Sequence, residues 1–368
     1  MPKNKKIILL YPYYNGISGA YNRYLLLEKL LRTTNFEVKL IILDSKNFNF
    51  FITKILYKFI KYLQVESLII FYSIFRNYYF ITDFNPSIIA LFSKNVFIQI
   101  HDVSWINKNF VRHNLFSYKI FNFFIKYYAN IITVSNTSKK AIIKVSNRKK
   151  RISFLYNSVG EEYIRESNNI GKYYINVKES KITESISYAI PNILYIATLT
   201  PRKCHLDFLE SLANNNNLFN VNFVGKPIDK KILELIKAKR SLYGKDIKSN
   251  INFFPKLSQQ DLCILLLYSS AYVSTSMNEG FGIPVLEAQL YKIPLIVRDL
   301  EINRELFPKA KFFKTNFQLT RLFNDIKHLS EAEIEQRKKI ISTISQDNIS
   351  QFFSYSVLSK KLKKIILK

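Results

Sequence analysis

The 368-residue sequence has only two cysteines, and this scarcity excludes the sites that clustered cysteines build. Cys204 and Cys263 form no Cys-x-x-Cys pair, and two thiols are too few for a disulfide framework or a zinc site. We therefore expect both side chains to be reduced, unpaired thiols.

Long hydrophobic runs are also absent. The longest stretches without a charged residue, 185–201 and 262–278, have 17 residues each and contain polar residues. A membrane-spanning helix needs about 20 mostly apolar residues, so we expect none. The basic start, residues 1–6, precedes an apolar run at 7–10 that is too short for the core of a signal peptide. These features together predict a cytoplasmic protein.

Acidic residues are scarce: the sequence has 27 Asp and Glu residues and 55 Lys and Arg residues, which gives a formal net charge of +28. Residues 1–160 hold 24 basic and only 6 acidic side chains, so the excess lies mainly in the first half. Such a charge, with 24 tyrosines and 30 phenylalanines, leaves a basic nucleic-acid-binding protein as a distant alternative. No nucleic-acid motif is visible and the aromatic residues mostly follow core-like spacing, so we expect no nucleic-acid partner.

The sequence does contain a regular alternation of apolar segments of strand and helix length, and 48% hydrophobic residues to fill cores. In the first half we predict strands at 6–11, 38–43, 96–100, 131–134 and 152–155, with an aromatic helix at 116–128. In the second half we predict strands at 193–197, 221–224, 251–254, 271–275 and 295–297. Strands separated by helices predict parallel sheets covered on both faces.

The predicted fold class is therefore α/β, with two doubly wound Rossmann-like domains facing one another across a cleft. We place the N-terminal domain at 1–165, an interdomain link at 166–188, the C-terminal domain at 189–345 and a last helix within 346–368. Apolar periodicity fades in the link. Ligands of such sheets bind outside the carboxyl ends of the strands, so the loops after strands are the candidate sites.

The loop after the strand at 271–275 carries the most informative residues. Gly280 and Gly282 are two of only eight glycines, and Pro284 suits the first turn of a helix. Glycines let a ligand approach the backbone, and free N–H groups at a helix start favour an anion such as phosphate. Glu279 and Glu287 flank this loop, where they could bind the hydroxyls or the developing positive charge of a nucleotide sugar. A glycine-rich turn with two solvated glutamates is the alternative.

The string from Glu279 to Glu287 resembles the signature of family-four glycosyltransferases, which is Glu-Gly-Phe-Gly-Leu-Pro-x-Leu-Glu, and differs from it only at Ile283. The resemblance implies the GT-B fold and a retaining transferase. Such an enzyme moves a sugar from a nucleoside-diphosphate sugar to a saccharide or lipid-linked acceptor, in the assembly of cell-surface polysaccharide or lipopolysaccharide. Glu279 would be catalytic. Gly280, Phe281, Gly282, Ile283 and Glu287 would bind the donor, with Glu287 on the ribose hydroxyls.

Other segments resemble further parts of that family. Arg202 and Lys203 stand where one form of the family holds the donor diphosphate, and Thr198 stands where another form has an arginine. His101 follows the strand at 96–100 and matches a histidine that lies near the transferred sugar in relatives, which makes it a second catalytic candidate; a structural role is the alternative. Gly19, preceded by serine instead of the family's second glycine, would also contact the donor. The relatives' last helix returns to the first domain.

The sequence lacks one motif that often binds a metal ion in enzymes that use nucleotide sugars. No Asp-x-Asp string occurs, and such a pair usually holds a divalent metal on the nucleotide in the other major transferase fold. We therefore expect no metal and no cofactor. The family's Gly-x-Pro before the next strand is Lys292-Ile293-Pro294 here, so we expect a local change in that turn.

Residues 50–63 place Lys54, Lys58 and Lys61 at helical spacing among apolar side chains. This pattern suits a helix lying on an anionic membrane surface, and an ordinary amphipathic helix packed on the first sheet is the alternative. The basic first half favours a peripheral enzyme at the inner face of the membrane. Two other functions stay open, a GT-B epimerase or phosphorylase and a noncatalytic sugar-nucleotide binder.

Overall fold

The computed structural model divides the chain into two compact units, Met1–Ser158 with Ser350–Lys368, and Val159–Ile349. It describes residues 5–14, 19–34, 36–44, 51–75, 78–83, 87–103, 115–147, 151–160, 164–165, 169, 182–229, 231, 233–236, 238, 250–342 and 353–367. Most of the expected link at 166–188 lies outside the described residues.

The first unit is built on a six-stranded parallel sheet with the strand order β2-β1-β3-β4-β5-β6. Its strands are β1 (Lys6–Tyr14), β2 (Glu37–Asp44), β3 (Tyr79–Asp83), β4 (Val96–Ile100), β5 (Asn130–Thr133) and β6 (Ile152–Phe154). Its helices are α1 (Gly19–Arg32), α2 (Phe51–Ile69), α3 (Ile89–Phe92), α4 (Leu115–Tyr127) and α5 (Asn136–Ser146), and a π-helical segment, Ile70–Phe75, continues α2.

Helices cover both faces of this sheet because the strands carry apolar residues on both faces, as expected of a parallel sheet. On one face Ile8, Phe80 and Ile98 pack with residues of α2, α3, α4 and α5. On the other face Ile7 and Ile81 pack with α1 and with the last helix of the chain, Tyr355–Ile366. That helix buries Leu358, Leu362 and Ile366, which recur every fourth residue and so share one side of it.

The second unit contains another six-stranded parallel sheet, with the order β12-β11-β10-β7-β8-β9. Its strands are β7 (Asn192–Ile196), β8 (Asn220–Val224), β9 (Asn250–Phe254), β10 (Ala271–Ser274), β11 (Leu295–Arg298) and β12 (Lys311–Phe313). Its helices are α6 (His205–Ala213), α7 (Gln259–Tyr268), α8 (Ile283–Leu290), α9 (Glu301–Leu306), α10 (Asn316–Phe323) and α11 (Glu331–Ser342); the last helix, Tyr355–Ile366, is therefore α12. The direction in which strands are added reverses between β7 and β10.

One face of the second sheet buries an apolar core against α6 and α10, and the other carries buried asparagines. Asn220 Nδ2 donates to Asn192 Oδ1 at 2.7 Å, and Asn252 Nδ2 donates to Asn222 Oδ1 at 3.1 Å. Asn222 Nδ2 also donates to the Ser185 carbonyl at 3.1 Å. Buried amides cost free energy unless they are hydrogen-bonded, and these side chains bond one another across neighbouring strands.

These sheets confirm the predicted α/β class with two doubly wound domains, and each of the ten predicted strands is present. Two further strands, β3 and β12, were not predicted. The expectation that Lys61 belongs to an outward-facing lysine stripe is wrong. Lys61 lies on α2, but only 7% of it is exposed. The side chains of residues 51–59, including Lys54 and Lys58, and the whole of residue 50 lie outside the described part of the chain.

The turn between α8 and β11 has the left-handed backbone for which glycine is suited, although the sequence supplies Lys292 there. Lys292 has φ +55°, and its N–H donates to the Gln289 carbonyl at 3.0 Å. A residue with a Cβ pays roughly 1–2 kcal/mol to hold this conformation. The Lys292-Ile293-Pro294 turn thus holds a left-handed backbone conformation with a residue that carries a Cβ.

We expect Lys292→Gly to raise the free energy of unfolding by up to about 1 kcal/mol. The relief of left-handed strain exceeds the roughly 0.5–1 kcal/mol that glycine's freedom in the unfolded chain costs. Lys309→Gly is the matched control, because Lys309 is an exposed turn residue without a positive φ and should lose stability. Urea denaturation measures both, and a loss at both positions would contradict the assignment of strain to Lys292.

Candidate functional site

The loops that follow β7 and β10 lie side by side because the two strands are paired, Ile193 with Ala271. The first loop contains the short helical turn Pro201–Lys203, and the second runs from residue 275 to the start of α8. The N–H of Met277 donates to the Arg202 carbonyl at 2.9 Å, and Arg202 Nη1 donates to the Asn278 carbonyl at 2.9 Å. These bonds hold the two loops together at the carboxyl edge of the sheet.

A buried ion pair joins the same loops. Lys203 Nζ contacts Glu279 Oε1, and the two side chains are only 11% and 13% exposed. Burying one such charge alone would be costly, whereas the opposite charges offset one another. An ammonium group has three N–H donors, so Lys203 can bind an anion and keep Glu279 at the same time.

The backbone under Lys203 is fixed by two hydroxyl groups. Tyr195 OH donates to the Lys203 carbonyl at 2.5 Å, and Thr275 Oγ1 donates to it at 3.0 Å. Burial raises the pKa of the Tyr195 phenol well above its usual value, so the hydroxyl stays protonated and remains a donor. Cys204 follows with φ +50° and turns the chain into α6. These two hydrogen bonds therefore hold the backbone of Lys203 at the carboxyl ends of β7 and β10.

The start of α8 suits an anion. Gly282 has φ +86° as the residue before the helix, and Pro284 occupies its first turn. Gly282 has no side chain with which to cap α8, whereas the Ser135 and Ser258 hydroxyls accept backbone N–H groups at the starts of α5 and α7. An uncapped helix start leaves N–H groups for a ligand. Phe281 is buried beside this turn and Ile283 is half-buried.

Glu287 lies one turn into α8 and is partly buried. Burial raises the pKa of its carboxyl group to about 8, because the ionised form loses solvation. At neutral pH this carboxyl group is therefore largely protonated in the chain as described. A protonated carboxyl group both donates and accepts hydrogen bonds, which fits it to bind neutral hydroxyl groups.

Thr198 lies in the loop after β7, which continues to pair with the chain beyond β8. Ala197 N–H donates to the Val224 carbonyl at 2.9 Å, and Leu199 N–H donates to the Lys226 carbonyl at 3.0 Å. Gly225 makes this approach feasible, since a Cβ at that position would lie 2.0 Å from the Ala197 carbonyl oxygen. Sequence reasoning did not single out Gly225; its signal was a glycine directly after a predicted strand.

The second unit thus brings together Arg202, Lys203 and Glu279, with residues 280–283 following directly. Gly19 and His101 belong to the first unit. Gly19 is the first residue of α1, and His101 directly follows β4, where its Nε2 lies 2.6 Å from Asp83 Oδ1. Asp83 ends β3, one of the two strands that were not predicted, so no local pattern connects it with His101.

A cavity of about 500 Å³ lies elsewhere in the second unit. Its lining includes Ala271, Pro294 and Lys311, at or next to the starts of β10, β11 and β12, and Arg337 of α11. It therefore lies at the amino edge of the sheet, opposite the loops that carry the predicted site residues. Ligands of doubly wound sheets bind at the carboxyl edge, so this cavity is not the candidate site.

Two absences hold for the part of the chain that the structure describes. It contains no group of three or more His, Cys, Asp or Glu side chains that could hold a metal ion. Within the same residues, every helix is too short or too polar to cross a membrane.

Comparison with known proteins finds a family match within the second unit. The family described as glycosyl transferases group 1 matches residues 185–347. The serotype-specific mannosyltransferase WbdA of Escherichia coli is 28% identical over 124 residues, which are 32% of this chain and 14% of that protein. The O-antigen chain mannosyltransferase RfbU of Salmonella typhimurium is 23% identical over 223 residues, 60% of this chain and 56% of that protein. The chain thus spans about a seventh of one relative and little more than half of the other.

Solved structures share the fold over nearly the whole chain. Anabaena Alr3699/HepE, in complex with UDP and glucose, superposes with a TM-score of 0.66 at 14% identity, covering 98% of this chain and 99% of that one. WaaG, a glycosyltransferase involved in lipopolysaccharide biosynthesis, gives a TM-score of 0.67 at 14% identity, with 98% and 99% coverage. The expected GT-B fold is confirmed.

We expect the stability of the protein to fall as pH rises from about 4.5 to about 8, the usual and the raised pKa of Glu287. Between these two pH values Glu287 ionises in the unfolded chain but stays protonated in the folded chain. Ionisation therefore favours the unfolded state, and the free energy of unfolding falls by up to a few kcal/mol. Glu287→Gln should remove that slope in urea denaturation. Glu333→Gln is the control, because hydrogen bonds from Ser330 lower the pKa of Glu333, and its contribution is constant above pH 5. Parallel slopes in wild type and Glu287→Gln would contradict the burial effect.

Proposed function

We propose, from the premise that residues 185–347 are a glycosyl transferases group 1 domain, that the protein is a retaining glycosyltransferase. It would move a sugar from a nucleoside-diphosphate sugar to a saccharide or lipid-linked saccharide, in the assembly of cell-surface polysaccharide or lipopolysaccharide. The observation that carries this proposal is the buried Lys203–Glu279 pair beside the uncapped start of α8. A cation, a carboxylate and the backbone N–H groups of a helix start are the kinds of group that bind a sugar diphosphate.

The donor diphosphate would bind Lys203, Arg202 and the N–H groups of residues 280–283. Negative charge builds on the leaving diphosphate as the sugar departs, and fixed cations with a helix start stabilise that charge in the transition state. Arg202 would turn part of its guanidinium from the Asn278 carbonyl to phosphate oxygens. These groups supply the charge that a divalent metal would otherwise provide, so we propose a metal-independent reaction.

Glu279 would steady the positive charge that develops on the transferred sugar, and Glu287 would bind the ribose hydroxyls. Phe281, Ile283 and Thr198 would shape the walls of the donor site. The acceptor oxygen bonds to the anomeric carbon as the bond to the diphosphate breaks, and the acceptor's proton passes to the leaving phosphate. Bond formation and cleavage on the same face of the sugar retain its configuration. His101 and Gly19 would act from the first domain.

The relatives' names indicate which donors to examine first. WbdA and RfbU are mannosyltransferases, and HepE was solved with UDP and glucose, so we propose that a mannosyl or glucosyl donor is the first to test. Thermal shift with UDP-, GDP- and dTDP-sugars identifies the donor. Nucleotide release with lipid-linked saccharides, in the presence and absence of EDTA, then tests transfer.

Product analysis distinguishes the alternatives. A new glycosidic bond with the donor's anomeric configuration, formed equally well in EDTA, is expected. An isomerised sugar nucleotide without acceptor glycosylation would instead indicate an epimerase, and donor binding without turnover would indicate a noncatalytic sugar-nucleotide binder.

Replacement of Glu279 tests the catalytic assignment. We expect Glu279→Ala to lower kcat by at least about 100-fold, the usual loss when one transition-state contact is removed, in a protein that still folds but melts at a lower temperature because Lys203 loses its partner. Asp325→Ala is the matched control, because Asp325 also pairs with a lysine of this domain, Lys311 at 2.8 Å, but on the exposed surface. Initial rates and thermal melting measure both variants. Unchanged turnover in Glu279→Ala would refute the assignment.

We also propose that the first domain binds an anionic membrane surface, through apolar side chains instead of the expected lysine stripe. Large apolar residues are exposed on α2, on the π-helical segment and on α3, namely Ile60, Leu63, Phe71, Ile74 and Phe92, the last 80% exposed. These elements cover one face of the first sheet, and α4 of the same layer exposes Lys119 and Lys126. Apolar residues between lysines, in a half of the chain with a large positive charge, suit an interface rich in anionic lipid.

Co-sedimentation with vesicles tests this surface. The protein should bind phosphatidylglycerol vesicles and not phosphatidylcholine vesicles, and Ile74→Glu should weaken binding by about tenfold, since burying an isoleucine is worth about 1.5–3 kcal/mol. Phe317→Glu is the control, because Phe317 is exposed in the second domain. Equal binding by both variants would refute the proposed surface.

A further inference from the structure

Asp83 and His101 meet at the carboxyl edge of the first sheet. β3 and β4 are parallel neighbours with Asp83 opposite Gln99, and His101 is the first residue after β4. His101 Nε2 lies 2.6 Å from Asp83 Oδ1, and the two side chains are 24% and 14% exposed. The pair therefore depends on the strand order and is partly protected from solvent.

The carboxylate of Asp83 is held in place from a second direction. Tyr24, on α1, is fully buried, and its hydroxyl donates to Asp83 Oδ1 at 3.1 Å. Burial, and then the charge of Asp83, raise the pKa of Tyr24 well above its usual value, so this phenol stays a donor. The Tyr24 hydroxyl and the His101 ring nitrogen thus converge on one oxygen of Asp83.

The charged neighbour on α1 is turned away from this pair. Arg23 donates through Nη1 and Nη2 to the carbonyls of Tyr156 and Leu155, at 2.7 and 2.8 Å. Its Nε lies 3.4 Å from Gln99 Oε1, and burial lowers the pKa of its guanidinium to about 9, so the group remains charged at neutral pH. Arg23 therefore anchors α1 to the strand ends, which keeps Tyr24 in register with Asp83.

A carboxylate can only accept hydrogen bonds, so the nitrogen of His101 that faces it must carry the proton. In a neutral imidazole the other nitrogen, Nδ1, is then the acceptor, because the bond made by one ring nitrogen sets the tautomer. We propose that Asp83 is a positioning residue that holds His101 as the Nε2–H tautomer, so that Nδ1 accepts a hydrogen bond from a hydroxyl group of the sugar substrate. The proposal rests on the proposed transfer reaction and adds to it a residue that touches no substrate.

Nitrogen-15 NMR of histidine-labelled protein tests the tautomer without any substrate. The His101 signal is identified by its disappearance in His101→Gln. We expect Nε2–H in wild type and a mixture of tautomers in Asp83→Asn, whose carboxamide can accept from or donate to the ring. Tyr24→Phe is the matched control: it removes the second hydrogen bond to Asp83, keeps the carboxylate, and should leave the tautomer unchanged.

Kinetics with the donor found by thermal shift test the consequence. We expect Asp83→Asn to lower kcat by roughly 10- to 100-fold, as misplacement of a reacting group does, with the donor KM within about threefold of wild type. Tyr24→Phe should keep kcat within about threefold. A loss that appears only in KM, or no loss at all, overturns the positioning role.

The outcomes separate this inference from the proposed function. An Nδ1–H signal in wild type, or an unchanged tautomer in Asp83→Asn, overturns the inference even if the protein transfers sugar. Absence of transfer with every donor overturns the proposed function, while the NMR measurement still decides what Asp83 does to His101. The wild-type spectrum also decides the case in which Asp83→Asn does not fold.

Discussion

The backbone pairing of β7 with β10 is the constraint on which the candidate site depends. Strands are added in one direction from β7 to β9 and in the other from β10 to β12, so the loops after β7 and β10 have no helix crossing between them. Lys203 and Glu279, which are 76 positions apart in the chain, therefore meet at one edge of the sheet. Because strand–helix–strand crossovers are right-handed, the reversal sends the helices after β7 and β10 to opposite faces of the sheet and leaves a crevice between the two loops.

The groups of the candidate site lower the stability of the folded protein, but they are already in place to bind a ligand. The attraction between a buried ammonium group and a buried carboxylate offsets only part of the free energy that their desolvation costs. A hydrophobic pair of similar volume would often be as stable. A helix start whose first residue has no capping side chain and a partly buried carboxyl group at Glu287 add to that cost. Groups held in place before the ligand arrives need not reorganise during the reaction, which is what electrostatic catalysis requires.

Apolar runs and a glycine-rich string were enough to predict most of the fold and the motif residues of the site. Strand length follows from local sequence, so ten strands could be predicted, whereas β3 follows a long aromatic helix from which its few apolar residues do not stand out. The partnership of Asp83 with His101 depends on strand order, which no local pattern contains. The burial of Lys61 depends on which side of α2 faces the sheet, and Gly225 is needed because of a strand far away in the sequence.

The position of α12 has a consequence for biosynthesis. This helix covers α1 and one face of the first sheet, yet it emerges from the ribosome only after residues 159–349 have been made. The part of α1 that packs against α12 consequently remains uncovered throughout translation of the second domain. The first domain therefore acquires its final core only when the other domain has already been synthesised.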